Sequence, residues 1–196
     1  IFGFSAFAQN TWLQKTNFGG STRTGAIGFS IGNKGYVGLG RNASSAYVND
    51  FWEYDQPTDT WTQKANYPGL GSYDNSESVI GTKAYVGLGY NGSSAQTDWW
   101  EYDQATNTWL SKATFTSTAR YGPATFVIGT KIYVVSGSPG GTPYLSDGRV
   151  YDQTTNTWSA MASFAGGIRV HTNAFAVNGM GYVGQGLTTT TSASTD

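Results

Sequence analysis

Short runs of alternating apolar and small residues recur along the chain, each closed by a turn, and no stretch carries the 3.6-residue periodicity of an amphipathic helix. Gly25-Ala26-Ile27-Gly28-Phe29-Ser30-Ile31 alternates as a strand does, and Gly32-Asn33 marks a tight turn into a second strand, Gly35 to Gly40. A polar loop from Arg41 to Asp50 leads into Phe51-Trp52-Glu53-Tyr54. A turn over Asp55 to Thr60 follows, and a fourth strand starts at Trp61.

This pattern repeats. Tyr54-Asp55-Gln56-Pro57-Thr58-Asp59-Thr60-Trp61 returns as Tyr102-Asp103-Gln104-Ala105-Thr106-Asn107-Thr108-Trp109 and as Tyr151-Asp152-Gln153-Thr154-Thr155-Asn156-Thr157-Trp158. A remnant stands at Asn10-Thr11-Trp12, so successive tryptophans are 49, 48 and 49 residues apart. A fixed period of this size means a stacked repeat, and four strands per period without a helix predict one antiparallel propeller blade. Tyr36, Tyr85, Tyr133 and Tyr182 hold one place in the second strand, beside Val37, Val86, Val134 and Val183, types that suit a sheet packed on both faces. Asp55, Asp103 and Asp152 open a turn in which Asp59, Asn107 and Asn156 can adopt the left-handed conformation. Each closing Trp is expected to be largely buried between blades, worth roughly 1.5–3 kcal/mol.

The glycines near the end of strand two, the Tyr-Asp opening the third turn and the Trp that follows resemble the kelch family. Its paired glycine is relaxed here to Gly38-Leu39-Gly40, Gly87-Leu88-Gly89, Ser136-Gly137 and Gly184-Gln185-Gly186. The resemblance covers Trp12 to Gly186 and implies an all-β fold, a kelch-type β-propeller of four-stranded antiparallel blades, incomplete, with three full blades plus partial ones. The propeller occupies 9–196, with blades at about 23–64, 72–112 and 120–161, a partial one at 168–196, and a lone outer strand at Trp12. Propellers close with 4–8 blades, so further blades are expected downstream.

Net charge is −1, and the eleven Lys and Arg are scattered, which argues against a nucleic-acid partner. With no cysteine and one histidine, the visible chain offers no thiolate or histidine-cluster metal site, and no cofactor is expected. Ile1 to Ala8 reads as the end of an apolar export signal with Ala6 and Ala8 at its cleavage site, and no longer run is apolar enough to span a membrane. Residues 1–8 are thus expected to be a signal-peptide remnant. Together with the kelch resemblance they suggest a secreted or cell-surface bacterial protein.

Recurring positions read as scaffold, and positions that depart from the repeat are the candidates for function. In kelch propellers the connections before strand one and between strands two and three emerge on one face, which implies a mouth lined by 17–25, 40–50, 66–74, 89–98, 114–122, 137–147 and 163–171. Arg23, Arg120 and Arg169 share one column there, with Ser72 in the blade that lacks the arginine. These guanidinium groups either tie adjacent loops through carbonyls or anchor carboxylates of a protein or glycan. Arg41, Tyr73, Tyr121 and His171 would complete the rim. Glu77 stands where other repeats carry Gly28, Thr125 and Ala174, as a solvated channel residue or as a buried group with a shifted pKa. The favoured function is a non-catalytic scaffold that recognises a protein or glycan at its mouth. The alternative is a propeller enzyme acting on carbohydrate: a sialic acid mutarotase-like reaction stays open, whereas a galactose oxidase-like one would need a cysteine and two histidine ligands that this chain lacks.

Overall fold

A computed structural model describes residues 12–188, in which every regular element is a strand and no helix is long and apolar enough to cross a membrane. The signal-like segment 1–8 lies outside the described residues. Two short strands, β1 (Arg23–Thr24) and β4 (Arg41–Asn42), pair with each other beside the first blade. That blade is β2 (Ile27–Ile31), β3 (Lys34–Gly38), β5 (Phe51–Asp55) and β6 (Thr60–Gln63), hydrogen-bonded in chain order. The second is β7 (Ser76–Ile80), β8 (Lys83–Gly87), β9 (Trp99–Asp103) and β10 (Thr108–Ser111). The third is β11 (Ala124–Ile128), β12 (Lys131–Val135), β13 (Gly148–Asp152) and β14 (Thr157–Met161), and a two-stranded sheet of β15 (Asn173–Val177) and β16 (Met180–Gly184) follows. All pairs are antiparallel, with tight turns joining the first to the second and the third to the fourth strand of each blade and longer loops joining the second to the third.

Two departures from the expected elements have local causes. The first strand begins at Ile27 rather than Gly25, because Gly25 sits at φ +61, which breaks the extended run. No strand forms at Trp12, whose side chain is fully exposed and which has no neighbouring strand to pair with among the described residues. The stretch after it docks instead through Phe18, which meets Trp52 and Trp61 edge-on.

The apolar core lies between blades. Ile27, Tyr36, Leu39 and Phe51 of the first blade are buried against Ala84, Val86 and Tyr102 of the second. Tyr85, Leu88 and Trp99 of the second are buried likewise against Ile132, Val134 and Tyr151 of the third. At the next junction Gly181 lies so close to the Phe126 ring that a Cβ there would stand 2.1 Å from it. The far side of the two-stranded sheet leaves Phe175, Val177, Met180 and Tyr182 exposed.

A repeated clamp fixes the stacking. Asp59, Asn107 and Asn156 adopt φ +53, +53 and +54, in the left-handed region that a short polar side chain tolerates. Each Oδ1 accepts from its own tyrosine, Tyr54, Tyr102 or Tyr151, at 2.6, 3.1 and 2.9 Å. The same oxygen accepts the N–H of Thr16, Ala65 or Ala113 from the preceding repeat at 3.1, 3.0 and 2.9 Å. The carbonyls of those three residues accept the indole N–H of Trp61, Trp109 and Trp158 at 3.3, 2.9 and 2.8 Å. These tryptophans hold equivalent places but are half-buried rather than largely buried, because each spans the outer rim of a junction with one edge in solvent. The preceding aspartates follow the same logic: Asp103 and Asp152 accept the N–H two residues on, at 2.9 Å each, whereas Pro57 offers Asp55 no such donor.

Asn107→Ala deletes two accepted hydrogen bonds and puts an unfavourable residue in the left-handed region, so it should destabilise by about 2–4 kcal/mol. Asn107→Gly relieves the backbone part alone and should recover about 1 kcal/mol of that loss, as read by urea unfolding. Equal stability of the two variants and the parent would remove the clamp from the account.

Candidate functional site

The mouth is built on backbone hydrogen bonds that repeat from blade to blade. Gly40, Gly89 and Gly137 donate to the carbonyls of Ser72, Arg120 and Arg169 at 2.7, 2.9 and 2.8 Å, which places Ser72 in the arginine column. The arginine side chains turn inward from this face. Arg23 grips Asp50 with two nitrogens, each at 2.7 Å, donates to the Leu39 carbonyl at 3.0 Å and lies over the Phe18 ring. Arg120, fully buried, meets both carboxylate oxygens of Asp147 with one nitrogen, Nη2, at 2.9 and 3.0 Å, donates to the Ser136 carbonyl at 2.8 Å through Nη1 and lies over the Phe115 ring. Arg169 is buried over Phe164. Arg23 and Arg120 thus perform the loop-tying role that was one of the two sequence readings.

The acidic partners form a column that sequence reasoning missed, although Asp50, Asp98 and Asp147 recur at the repeat period just ahead of the third strand. Burial alone would raise the Asp50 carboxyl, but hydrogen bonds from Arg23 and Trp52 outweigh it and hold the group below its ordinary range. Asp147 is lowered in the same way, with Arg120 and Ser117 overcoming burial. In the second blade Ser72 supplies no cation, and the hydroxyl of Tyr67, where other blades carry phenylalanine, donates to Asp98 at 2.6 Å instead.

Two residues after that column a second ring lines the opening. Gly25, Asp74, Gly122 and His171 all adopt the left-handed conformation, at φ +61, +52, +57 and +54. Asp74 donates to the Gly25 carbonyl, Gly122 to that of Asp74 and His171 to that of Gly122, at 3.0, 2.8 and 2.8 Å. Glycine fits this backbone without cost, so Asp74 and His171 are departures held against a local preference. Their side chains meet across Gly122, Nε2 of His171 lying 3.0 Å from Oδ2 of Asp74. That hydrogen bond raises the His171 pKa, opposed in part by burial.

Glu77 lies below this pair on β7. It pairs with Val86, just as Gly28, Thr125 and Ala174 pair with Val37, Val134 and Val183, which fixes it in that column of the innermost strands. Burial first, and the nearby Asp74 second, push its carboxyl up to about 7. A cavity of about 380 Å³ opens here, lined by Asp74, Asn75, Glu77, Thr125, His171 and Thr172 among others.

Beside Asp74 and His171, half-buried tyrosines cluster in mixed stacked, tilted and edge-on contacts. Tyr73 stands 5.8 Å from Tyr47, 5.9 Å from Tyr90 and 5.9 Å from Tyr121, ring centre to ring centre, and Tyr121 lies 6.1 Å from His171. Arg41 is exposed at the outer end, 6.0 Å over Tyr47. Tyr73, Tyr121, His171 and Glu77 therefore converge, with Arg41 at the margin. Tyr47 and Tyr90 were not found from the sequence, because each stands alone in its loop and only the fold brings them together. Among the described residues no three His, Cys, Asp or Glu side chains are placed to hold a metal ion.

The kelch motif model matches residues 119–165. The solved structure of YjhT superposes with a TM-score of 0.76 at 20% identity, over 90% of this chain and 63% of that one. This chain therefore spans less than two thirds of YjhT's length. No curated protein sequence matches it.

Two pH measurements check the electrostatics. Glu77 has its folded pKa raised to about 7 from 4.5, so the fold carries no penalty from it at low pH and the full penalty above about pH 7. Glu77→Gln should match the parent at pH 4 and exceed it by about 1–3 kcal/mol at pH 8 in denaturant unfolding. His171 is the single histidine. Its NMR titration should have a midpoint above that of free histidine, and Asp74→Asn should bring it down; no change would place the two side chains apart in solution.

Proposed function

Because this chain is a kelch-repeat β-propeller, we propose that it is a secreted or cell-surface binding module, without catalytic activity, that takes a glycan at the open mouth of the propeller. The observation that carries this reading is the run of neighbouring tyrosines, Tyr47, Tyr73, Tyr90 and Tyr121, which adjoins through Tyr121 and His171 a polar cavity. Aromatic faces cover the apolar faces of sugar rings, while Asp74, Asn75 and Thr172 offer hydrogen-bonding groups to the hydroxyls. An apolar start ending Ala6-Phe7-Ala8 supports export.

One observation favours a second reading. The hydrogen-bonded Asp74 and His171, with Glu77 close by, could move protons at a bound sugar, as a carbohydrate-converting propeller enzyme would require.

A glycan array probed with the full-length protein tests both. Binding is expected, and Tyr73→Ala with Tyr121→Ala should weaken it at least tenfold without changing the unfolding midpoint by more than the usual surface substitution. Chemical change of the bound glycan, abolished by Glu77→Gln, would establish the second reading in place of the first. Absence of any glycan binding would refute both.

A further inference from the structure

We propose that the mouth selects a sugar bearing a protonated amine, with the Glu77 carboxylate as its counter-charge. This rests on the glycan reading above and specifies its ligand. Arginine at a propeller mouth would ordinarily suggest an acidic ligand. Here the guanidinium groups of Arg23 and Arg120 are already spent on Asp50 and Asp147, and that of Arg169 is buried over Phe164. Of the column, no exposed guanidinium reaches the cavity.

The groups that do face the cavity are of the other sign. Asp74 and Glu77 line it, and the cation there, His171, is engaged by Asp74 and neutral once deprotonated. Glu77 is the informative one. Its carboxyl has no hydrogen-bond or ion-pair partner among the described residues, although the residue is half-buried and lines the cavity. Buried carboxylates are normally paired, because an unpaired one loses its hydration without return. Glu77 stands in a column of small residues, so nothing in the repeat requires it.

A ligand ammonium supplies the missing partner. It would meet Glu77 where the carboxyl is partly withdrawn from water, and a hydrogen bond between two charged groups is stronger than one between neutral ones. The roughly 380 Å³ cavity has the volume of a small-molecule site, enough for a sugar unit beside the tyrosine cluster. Since Glu77 keeps its proton up to about pH 7 in the free protein, binding an ammonium near that pH should expel it.

The test is calorimetric titration of the full-length protein with three oligosaccharides of the same linkage: glucosamine oligomers, their fully N-acetylated forms, and glucose oligomers. Glucosamine oligomers should bind at least tenfold more tightly than the other two, releasing protons near pH 7 as shown by buffer-dependent heats. Glu77→Gln should abolish the preference and the proton release, bringing the affinities for the three oligomers within twofold of one another. Equal binding of all three, or a preference that persists in Glu77→Gln, would overturn the amine inference and leave the glycan reading standing. Failure of all three to bind would likewise overturn the amine inference, while the glycan array decides the glycan reading.

Discussion

A propeller blade is a sheet that cannot bury its faces alone, so everything in this molecule depends on how one repeat grips the next. The grip is a single residue held at both ends: the N–H of Ala65 enters Asn107, and its carbonyl takes the indole of Trp109. Thr16 with Asp59 and Trp61, and Ala113 with Asn156 and Trp158, repeat it. One left-handed residue thereby orders its own turn, its own tyrosine and the neighbouring blade. Apolar contacts between blades supply most of the stabilisation, but they slide easily; the directed hydrogen bonds fix the angle at which blades meet.

With that angle fixed, the mouth becomes a rigid frame on which few residues need to vary. Buried Arg–Asp pairs stitch the loops in the first and third blades, and Tyr67 with Asp98 substitutes in the second. A buried charge pair contributes little net stability over an apolar pair, yet removing one partner is costly. Such pairs therefore lock register more than they add strength. The site then arises where the frame tolerates exceptions: Asp74 and His171 at backbone positions that favour glycine, and Glu77 among small residues.

The fold was legible because its determinants repeat. Left-handed geometry at Asp59, Asn107 and Asn156, and the turn at Gly32, could be inferred from residue type and spacing alone. The kelch resemblance extended this to blades and to a common mouth. The candidate site was half-legible: Glu77 and His171 stood out as departures, but whether Arg120 faced a ligand or an aspartate could not be read, since a guanidinium suits either. The deciding partner, Asp147, lies 27 residues away and is marked in the sequence only by its recurrence with Asp50 and Asp98. Tyr47 was invisible because its proximity to Tyr73 joins two blades, and Tyr90 because it reaches Tyr73 only through a backbone bridge at the mouth of the second blade.

The central claim is that recurring residues hold the blades while departing residues form the site, and Arg120→Met examines it directly. Unfolding stability and glycan affinity should be measured on the same full-length variant. Removing the buried guanidinium leaves Asp147 without its main partner and should cost about 3–5 kcal/mol, with affinity unchanged within twofold. Intact stability together with lost affinity would show that Arg120 serves the ligand, and would contradict the division of labour between scaffold and site.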